Sequence, residues 1–375
     1  MQKNNVYITY YKSISALGIN TNETLLNLEN GNIPIYTPKE DEKFKYPHFI
    51  INNKLENEKT ARCSNIAFNL LSIIDDKLIN IDKIPLFLAT STGGIKETEK
   101  IYKELIDKKI QYPLFQNHFF NKTMDDIKTK YKNKFIDGYT FSTACSSSGH
   151  SILQAYKFIK NGIIDKALIL GIDTLALTTM IGFDSLKLVS HTGTKPLTNQ
   201  RDGLSLGEGG GLLFLESNPK DTPHAEITGC FSNSDGYHIS SPDPEGEIQK
   251  QCILETLKES SVSIEDVDYI NAHGTGTIMN DEVELKTIKS IFKNPIPVTS
   301  LKHFIGHTLG ASTITEIAIA IAMLKNKKIY QPKSFCDPID KDYIPLKTIQ
   351  KDVKYFLKNS FGFGGNNFSI LLKII

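Results

Sequence analysis

A strand, a tight turn carrying one reactive side chain, and an alanine-containing helix follow one another twice in this chain. The first occurrence spans 139–160 and carries Cys145; the second spans 296–325 and carries His307. Another pattern is also doubled. A helix, a short loop, a strand and a Thr/Ser/Gly turn describe both 61–94, ending LFLATSTGG, and 250–277, ending YINAHGTGT. Alternating strands and helices predict an α/β protein with parallel pairing. The doubling predicts two similar βαβ-rich halves, 1–222 and 223–375, packed so that both strand-to-helix turns face one site.

The remaining elements follow from periodicity and punctuation. Val6 to Thr9 reads as a strand, followed by a short helix that Thr21 or Asn22 caps. Gly31 to Glu58 is polar, with prolines at 34, 38 and 47, and reads as a surface loop. Helices are predicted for 61–74, 146–159, 248–257 and 283–292, with Lys-rich, solvated helices within 95–132. Strands are predicted for 85–89, 139–142, 166–171, 269–272, 296–299, 354–359 and 368–374. Glu316 to Leu324 alternates with a period of two, as a strand would. The uninterrupted length from Ala311 to Lys325 favours a helix buried on all sides.

Composition narrows the function classes. Lys+Arg and Asp+Glu number 43 and 42, a net charge of +1, so charge makes no case for nucleic acid or an anionic membrane. No apolar run approaches the ~18 residues of a membrane span. The amino-terminal MQKNNVYITYYK lacks an apolar signal core. Five cysteines without a CxxC pair argue against a disulfide framework or structural zinc and for a reducing cytoplasm. The expectation is a soluble cytoplasmic enzyme.

Cys145 lies in Thr143-Ala-Cys-Ser-Ser-Ser-Gly-His at a strand-to-helix junction. Free N–H groups and the dipole of a helix N-terminus favour a thiolate, so a lowered thiol pKa is expected. The small neighbours leave the sulfur accessible and let backbone amides approach a substrate oxygen. His273, in Asn271-Ala-His-Gly-Thr-Gly-Thr, sits directly after a strand; Thr275 and Thr277 offer hydroxyls on the same turn. Lys302 and His307 open the alanine-rich helix, where the lysine is either plainly solvated or able to orient a histidine. Asp281 and Glu284 read as carboxylates capping a helix, or as groups orienting Lys302 or the histidines. Ser360-Phe-Gly-Phe-Gly-Gly-Asn-Asn places Phe363 at the tip of a glycine-rich hairpin.

Four of these motifs stand in the order found in a known family: TACSSS at 143–148, AHGTGT at 272–277, LKHFIGHTLGA at 301–311 and NSFGFGGNN at 359–367. From Val6 to Leu372 the chain resembles the beta-ketoacyl-acyl-carrier-protein synthases, in their elongating Cys-His-His class. The resemblance implies a thiolase-like fold, two similar halves in an αβαβα layered arrangement. It implies Cys145 as nucleophile, His273, His307 and Lys302 as its catalytic partners, and Asp281 and Glu284 as the acidic pair behind them. Thr275 and Thr277 match the threonines that hold a phosphopantetheine arm, and Phe363 matches the aromatic gate of the acyl pocket. The implied partners are an acyl carrier protein, which brings the phosphopantetheine, and a second ketosynthase-like subunit in a homodimer or heterodimer. No metal and no other cofactor are implied.

Departures from the family pattern are Tyr10 and Lys12 where glycines are usual, Thr198 for Asp, and Leu204 for Phe. The GGNN ending and the shortened amino-terminal half look similar to synthases of aryl polyene or flexirubin pigments. Rival readings meet objections in the residues. A chain-length partner subunit shares the fold but lacks the nucleophile. A degradative thiolase wants a second cysteine near the carboxyl terminus, in a context unlike that of Cys336. An initiating synthase carries Asn at the position of His307. A metal hydrolase could use His303 and His307, four residues apart.

Overall fold

The computed structural model describes residues 4–51, 55, 60–77, 83–112, 115–132 and 134–375; residues 52–54 and 56–58 of the expected polar loop lie outside it. The first half contains β1 (Tyr7–Ser15), α1 (Thr21–Glu29), α2 (Arg62–Lys77), β2 (Ile84–Ala89), α3 (Ile95–Ile106) and α4 (Lys122–Lys130). It continues with β3 (Phe135–Phe141), α5 (Ser147–Lys160), β4 (Lys166–Asp173), α6 (Leu177–Ser185) and β5 (Gly209–Glu216). The second half contains β6 (Ala225–Ser234), α7 (Glu247–Ser260), β7 (Tyr269–Asn271), α8 (Ile278–Ile291), β8 (Val298–Thr299) and α9 (Lys302–Ile305). It closes with α10 (Ser312–Lys325), β9 (Lys328–Ile329), β10 (Ile349–Gln350), β11 (Tyr355–Gly362) and β12 (Asn366–Ile374).

The strand order exposes the duplication. Ten strands run β3-β2-β4-β5-β1-β6-β12-β11-β7-β8, the first five from one half and the last five from the other. Read outward from the middle, the two sets match. β2 is parallel to β3 and β4, as β7 is to β8 and β11; β4·β5 and β5·β1 are antiparallel, as are β11·β12 and β12·β6. Among the described residues the sets join through β1 and β6, at Tyr7↔Glu226 and Ile8↔Ala225.

Helices form three layers around the two strand sets, five layers in all. α2 packs on β1, β4 and β5, and α7 on β6 and β12, each covering an outer face. α5 and α10 lie between the two sets, touching strands of both. A helix covered on two faces has no side left for a solvated polar stripe, which explains the ambiguous stretch in α10. Every residue from Ser312 to Leu324 is buried. Ile314, Ile317, Ile319 and Ile321 are all at most 1% exposed, and burying each side chain contributes roughly 1.5–3 kcal/mol. The alternation was therefore a buried helix rather than a strand.

Two sequence expectations are corrected locally. The helix expected from Val283 begins at Ile278, with extended Thr277 as its N-cap. The helix expected to be capped by Thr21 or Asn22 is capped by Asn20, whose side chain accepts from the Glu23 N–H.

Candidate active site

Cys145 and His307 occupy equivalent places in the two halves, each between an edge strand, β3 or β8, and a central helix, α5 or α10. Their turns meet. His307 Nε2 lies 2.9 Å from Cys145 Sγ, with both residues buried. The chain approaches Cys145 through Ala144 at φ +51°, a left-handed conformation that a residue with a Cβ adopts only under constraint. That turn brings Sγ close to the backbone N–H groups of Phe363 and of Cys145 itself, which favour its thiolate form. Two convergent N–H donors around a nucleophile can hold a developing oxyanion.

The thiol pKa differs from expectation. Burial pushes Cys145 up to about 11, although the Phe363 N–H and the Lys302 charge oppose it. Sequence position at a helix start favours a thiolate, but withdrawal from water outweighs that in the folded chain. The resting pair is a neutral thiol facing an imidazole. Burial, followed by the charges of Lys302 and Lys358, holds the His307 pKa well below its usual value.

His273 stands edge-on to His307, with ring centroids 5.4 Å apart at 85°. Burial and then Lys302 also keep it neutral. Its Nδ1 is buried with no hydrogen-bond partner among the described residues. Glu284 and Asp281 lie within α8 and cap the histidine turn instead of the helix. Glu284 accepts from the His273 N–H at 2.7 Å and the Gly274 N–H at 2.8 Å. Asp281 accepts from the N–H groups of Thr275 and Leu197, at 3.0 and 2.7 Å. The acidic pair therefore fixes the backbone carrying His273, and among the described residues the carboxylate bonded to Lys302 is Glu316.

Lys302 is fully buried, which removes the solvated reading. Its Nζ donates to Glu316 Oε1 at 2.6 Å, and Lys358 Nζ donates to Glu316 Oε2 at 2.7 Å and to Ala272 O at 3.2 Å. Ser312 Oγ donates to Glu316 Oε1 at 2.9 Å and lies 3.3 Å from His307 Nδ1. Glu316, Lys358 and Ser312 were not singled out from the sequence. An acidic residue in an otherwise apolar helix, and a lysine in a buried strand, were the available signals.

A cavity of about 230 Å³ ends on Cys145, His273 and His307. Thr275 and Thr277 line it, with hydroxyls 2.9 Å apart, and solvent-exposed Ile239 and Met279 also lie on its wall. Phe363 lines it too, stacked on Phe183 of α6 with centroids 5.4 Å apart at 26°. Phe183 was also missed, since nothing local distinguishes it. Leu204 lies on the wall, whereas Thr198 is tied to Lys195 O at 2.9 Å and is not part of the lining. Lys12 is remote, donating to Asn69 O of α2 at 2.6 Å.

The arrangement does not support a metal centre on His303 and His307. α9 ends at Ile305, and Gly306 at φ +68° turns the chain, so the rings diverge. His303 packs edge-on against Phe335 at 5.6 Å. No group of three or more potential metal ligands occurs among the described residues. No described helix is long and apolar enough to cross a membrane.

Known proteins share this architecture. Residues 138–221 match the beta-ketoacyl synthase N-terminal domain and residues 224–335 match its C-terminal domain. The 3-oxoacyl-[acyl-carrier-protein] synthase 2 of Staphylococcus aureus is 31% identical over 316 residues, covering 78% of this chain and 77% of that protein. The protein of the same name from Synechocystis sp. is 32% identical over 339 residues, covering 83% and 79%. Among solved structures, a ketosynthase in complex with its chain length factor from Xenorhabdus doucetiae aligns with a TM-score of 0.90 at 26% identity, covering 99% of this chain and 98% of that one. A beta-ketoacyl synthase from Burkholderia phymatum shares the fold with a TM-score of 0.87 at 24% identity, covering 99% and 100%. With its doubled thiolase-like fold and relatives of this identity along most of its length, the chain belongs to the beta-ketoacyl synthase family.

Proposed function

We propose that this protein is an acyltransferase that condenses an acyl group with malonyl-acyl-carrier-protein, with loss of carbon dioxide, to give 3-oxoacyl-acyl-carrier-protein. The observation that carries the reading is the 2.9 Å contact between Cys145 Sγ and His307 Nε2, with His273 beside it at the closed end of the cavity.

In the first half-reaction Cys145 takes the acyl group from a carrier thioester, and the backbone N–H groups of Cys145 and Phe363 hold the oxyanion. The carrier's phosphopantetheine arm runs past Thr275 and Thr277; the protein itself supplies no cofactor. In the second half-reaction His273 and His307 donate to the enolate oxygen as carbon dioxide leaves the malonyl group. The carbanion attacks the acyl carbon, and the Cys145 thiolate departs. Lys302 acts through Glu316, adding positive field below both histidines. Phe363, resting on Phe183, gates the acyl chain.

A chain-length partner subunit needs no nucleophile, so the Cys145–His307 contact favours the catalytic role. The partner is a second ketosynthase-like subunit. Edge strand β3, with Ile136 41% and Tyr139 52% exposed, offers it a surface. The GGNN turn is consistent with a pigment-type polyene pathway.

The test is mass spectrometry of carrier-bound products after mixing the protein with malonyl carrier and a panel of acyl carriers. A product two carbons longer, bearing a 3-oxo group and lost in Cys145→Ala, is expected. Acyl transfer or condensation that persists in Cys145→Ala would overturn the assignment.

A further inference from the structure

We propose that Ser312 is a positioning residue that decides which ring nitrogen of His307 carries the proton. The proposal rests on the condensing role assigned above to Cys145 and His307, and concerns how one histidine serves two half-reactions.

The geometry forms a continuous polar line: Cys145 Sγ, His307 Nε2, His307 Nδ1, Ser312 Oγ and Glu316 Oε1, with separations of 2.9, 3.3 and 2.9 Å across its three contacts. Ser312 opens α10 and is fully buried; the short turn Leu309–Ala311 brings it beneath the imidazole. Glu316 is held ionised by Lys302 and Lys358 and can only accept. The one hydroxyl proton of Ser312 therefore goes to Glu316, and an Oγ lone pair faces Nδ1. The ring then carries its proton on Nδ1 and presents a bare Nε2 to the thiol.

That tautomer suits acyl transfer. Nε2 takes the Cys145 proton, and a sulfur lone pair forms the bond to the thioester carbonyl carbon. The bond from that carbon to the pantetheine sulfur then breaks, and the leaving sulfur takes the proton back from Nε2. Decarboxylation has the opposite need, because Nε2 must then donate to the enolate oxygen. As the first carrier leaves, the ring can give its Nδ1 proton to water and take one from water at Nε2; the Ser312 hydroxyl then rotates and donates to the bare Nδ1, which holds the proton on Nε2. Glu316 tolerates the rotation, since Lys302 stays on Oε1 and Lys358 on Oε2. A backbone N–H or a carboxylate in the place of Ser312 would hold one tautomer only.

Ser312→Ala removes a single oxygen and tests the idea in two ways. The first reading is the ¹⁵N shift pattern of the His307 ring in substrate-free protein labelled on histidine, assigned by its disappearance in His307→Asn. Wild type should show an Nδ1–H ring; Ser312→Ala should lose that pattern. The second compares acylation of Cys145, by intact mass, with carbon dioxide release from malonyl carrier. Acylation should fall by about 10²-fold, the lower end of a general-base contribution, while carbon dioxide release falls less, because a ring without Ser312 can still carry its proton on Nε2. Equal losses in both half-reactions, or unchanged ring shifts, would overturn the role of Ser312. Carriers that fail to react with wild type would count against the condensing reading, and the ring shifts would still decide Ser312.

Discussion

Lys358 Nζ lies 2.7 Å from Glu316 Oε2, and neither side chain reaches solvent. Lys302 occupies the other carboxylate oxygen at 2.6 Å, so two ammonium groups share one carboxylate and leave one positive charge sealed beneath the histidines. Burial alone would raise the Glu316 pKa, but the two lysines hold it below the ordinary carboxylate range. Burial lowers Lys358 to about 8, with Glu316 opposing. The sealed charge helps keep His273 and His307 neutral and favours an oxyanion over a neutral carbonyl in the space above them.

The triad predicts an asymmetry in stability. Glu316→Gln leaves two buried ammonium groups without a counter-charge and should cost about 3–5 kcal/mol. Lys358→Met leaves the Lys302–Glu316 pair intact and should cost less than half as much. Urea unfolding of both variants checks the ordering, and equal losses would contradict the shared-carboxylate account.

The two half-reactions should separate by residue. Cys145→Ala loses condensation but still releases carbon dioxide from malonyl carrier, because decarboxylation uses the histidines. His307→Ala loses decarboxylation by about 10²–10³-fold, the effect of removing an oxyanion donor. Carbon dioxide release and the intact mass of the acyl adduct, measured side by side, decide it. A wild-type decarboxylation rate in His307→Ala would refute the role.

The Phe363 turn makes a finer distinction than its run of glycines suggests. Gly362 has φ −93°, so the left-handed demand falls on Gly364 and Gly365, at +73° and +71°. A Cβ at Gly364 would come within 3.2 Å of the Asn366 side chain; at Gly365 it would lie 1.7 Å from Asp235 O. Gly364→Ala should cost about 1–2 kcal/mol and slow acylation modestly. Gly365→Ala should force the turn apart, withdraw the Phe363 N–H from Cys145 and abolish acylation. Similar acylation rates in the two variants would count against this turn positioning Phe363.

His303 gives a pH signature separate from catalysis. Burial, aided by Lys195, lowers its pKa from 6.5 to about 4. Below pH 6.5 the unfolded chain takes up a proton that the folded chain refuses, so stability falls as pH drops. Between pH 7.5 and 5.5 the wild type should lose about 1.4 kcal/mol more than His303→Phe, which has no such group. The checking measurement is the difference between the two urea midpoints at each pH; a constant difference would show that His303 titrates normally.

What could be read from the residues alone was local. Small residues around Cys145, the Gly/Thr turn after His273 and the glycines around Phe363 are chemistry that a turn requires wherever it sits, so each motif announced itself. The doubled strand–turn–helix order was legible too, and it corresponds to the matched strand sets on either side of β1 and β6. Tertiary structure decided the rest. Glu316 stands out only as an acid in apolar α10 and Lys358 only as a lysine in buried β11, and nothing in the sequence pairs them with each other or with Ser312 until the two halves close on one another. Phe183 meets Phe363 only because α6 folds over a turn 180 residues further along the chain. Local position at a helix start argued for a thiolate at Cys145, whereas burial pushes its pKa to about 11. Desolvation is set by everything packed around a group, and that is information no stretch of neighbouring residues contains.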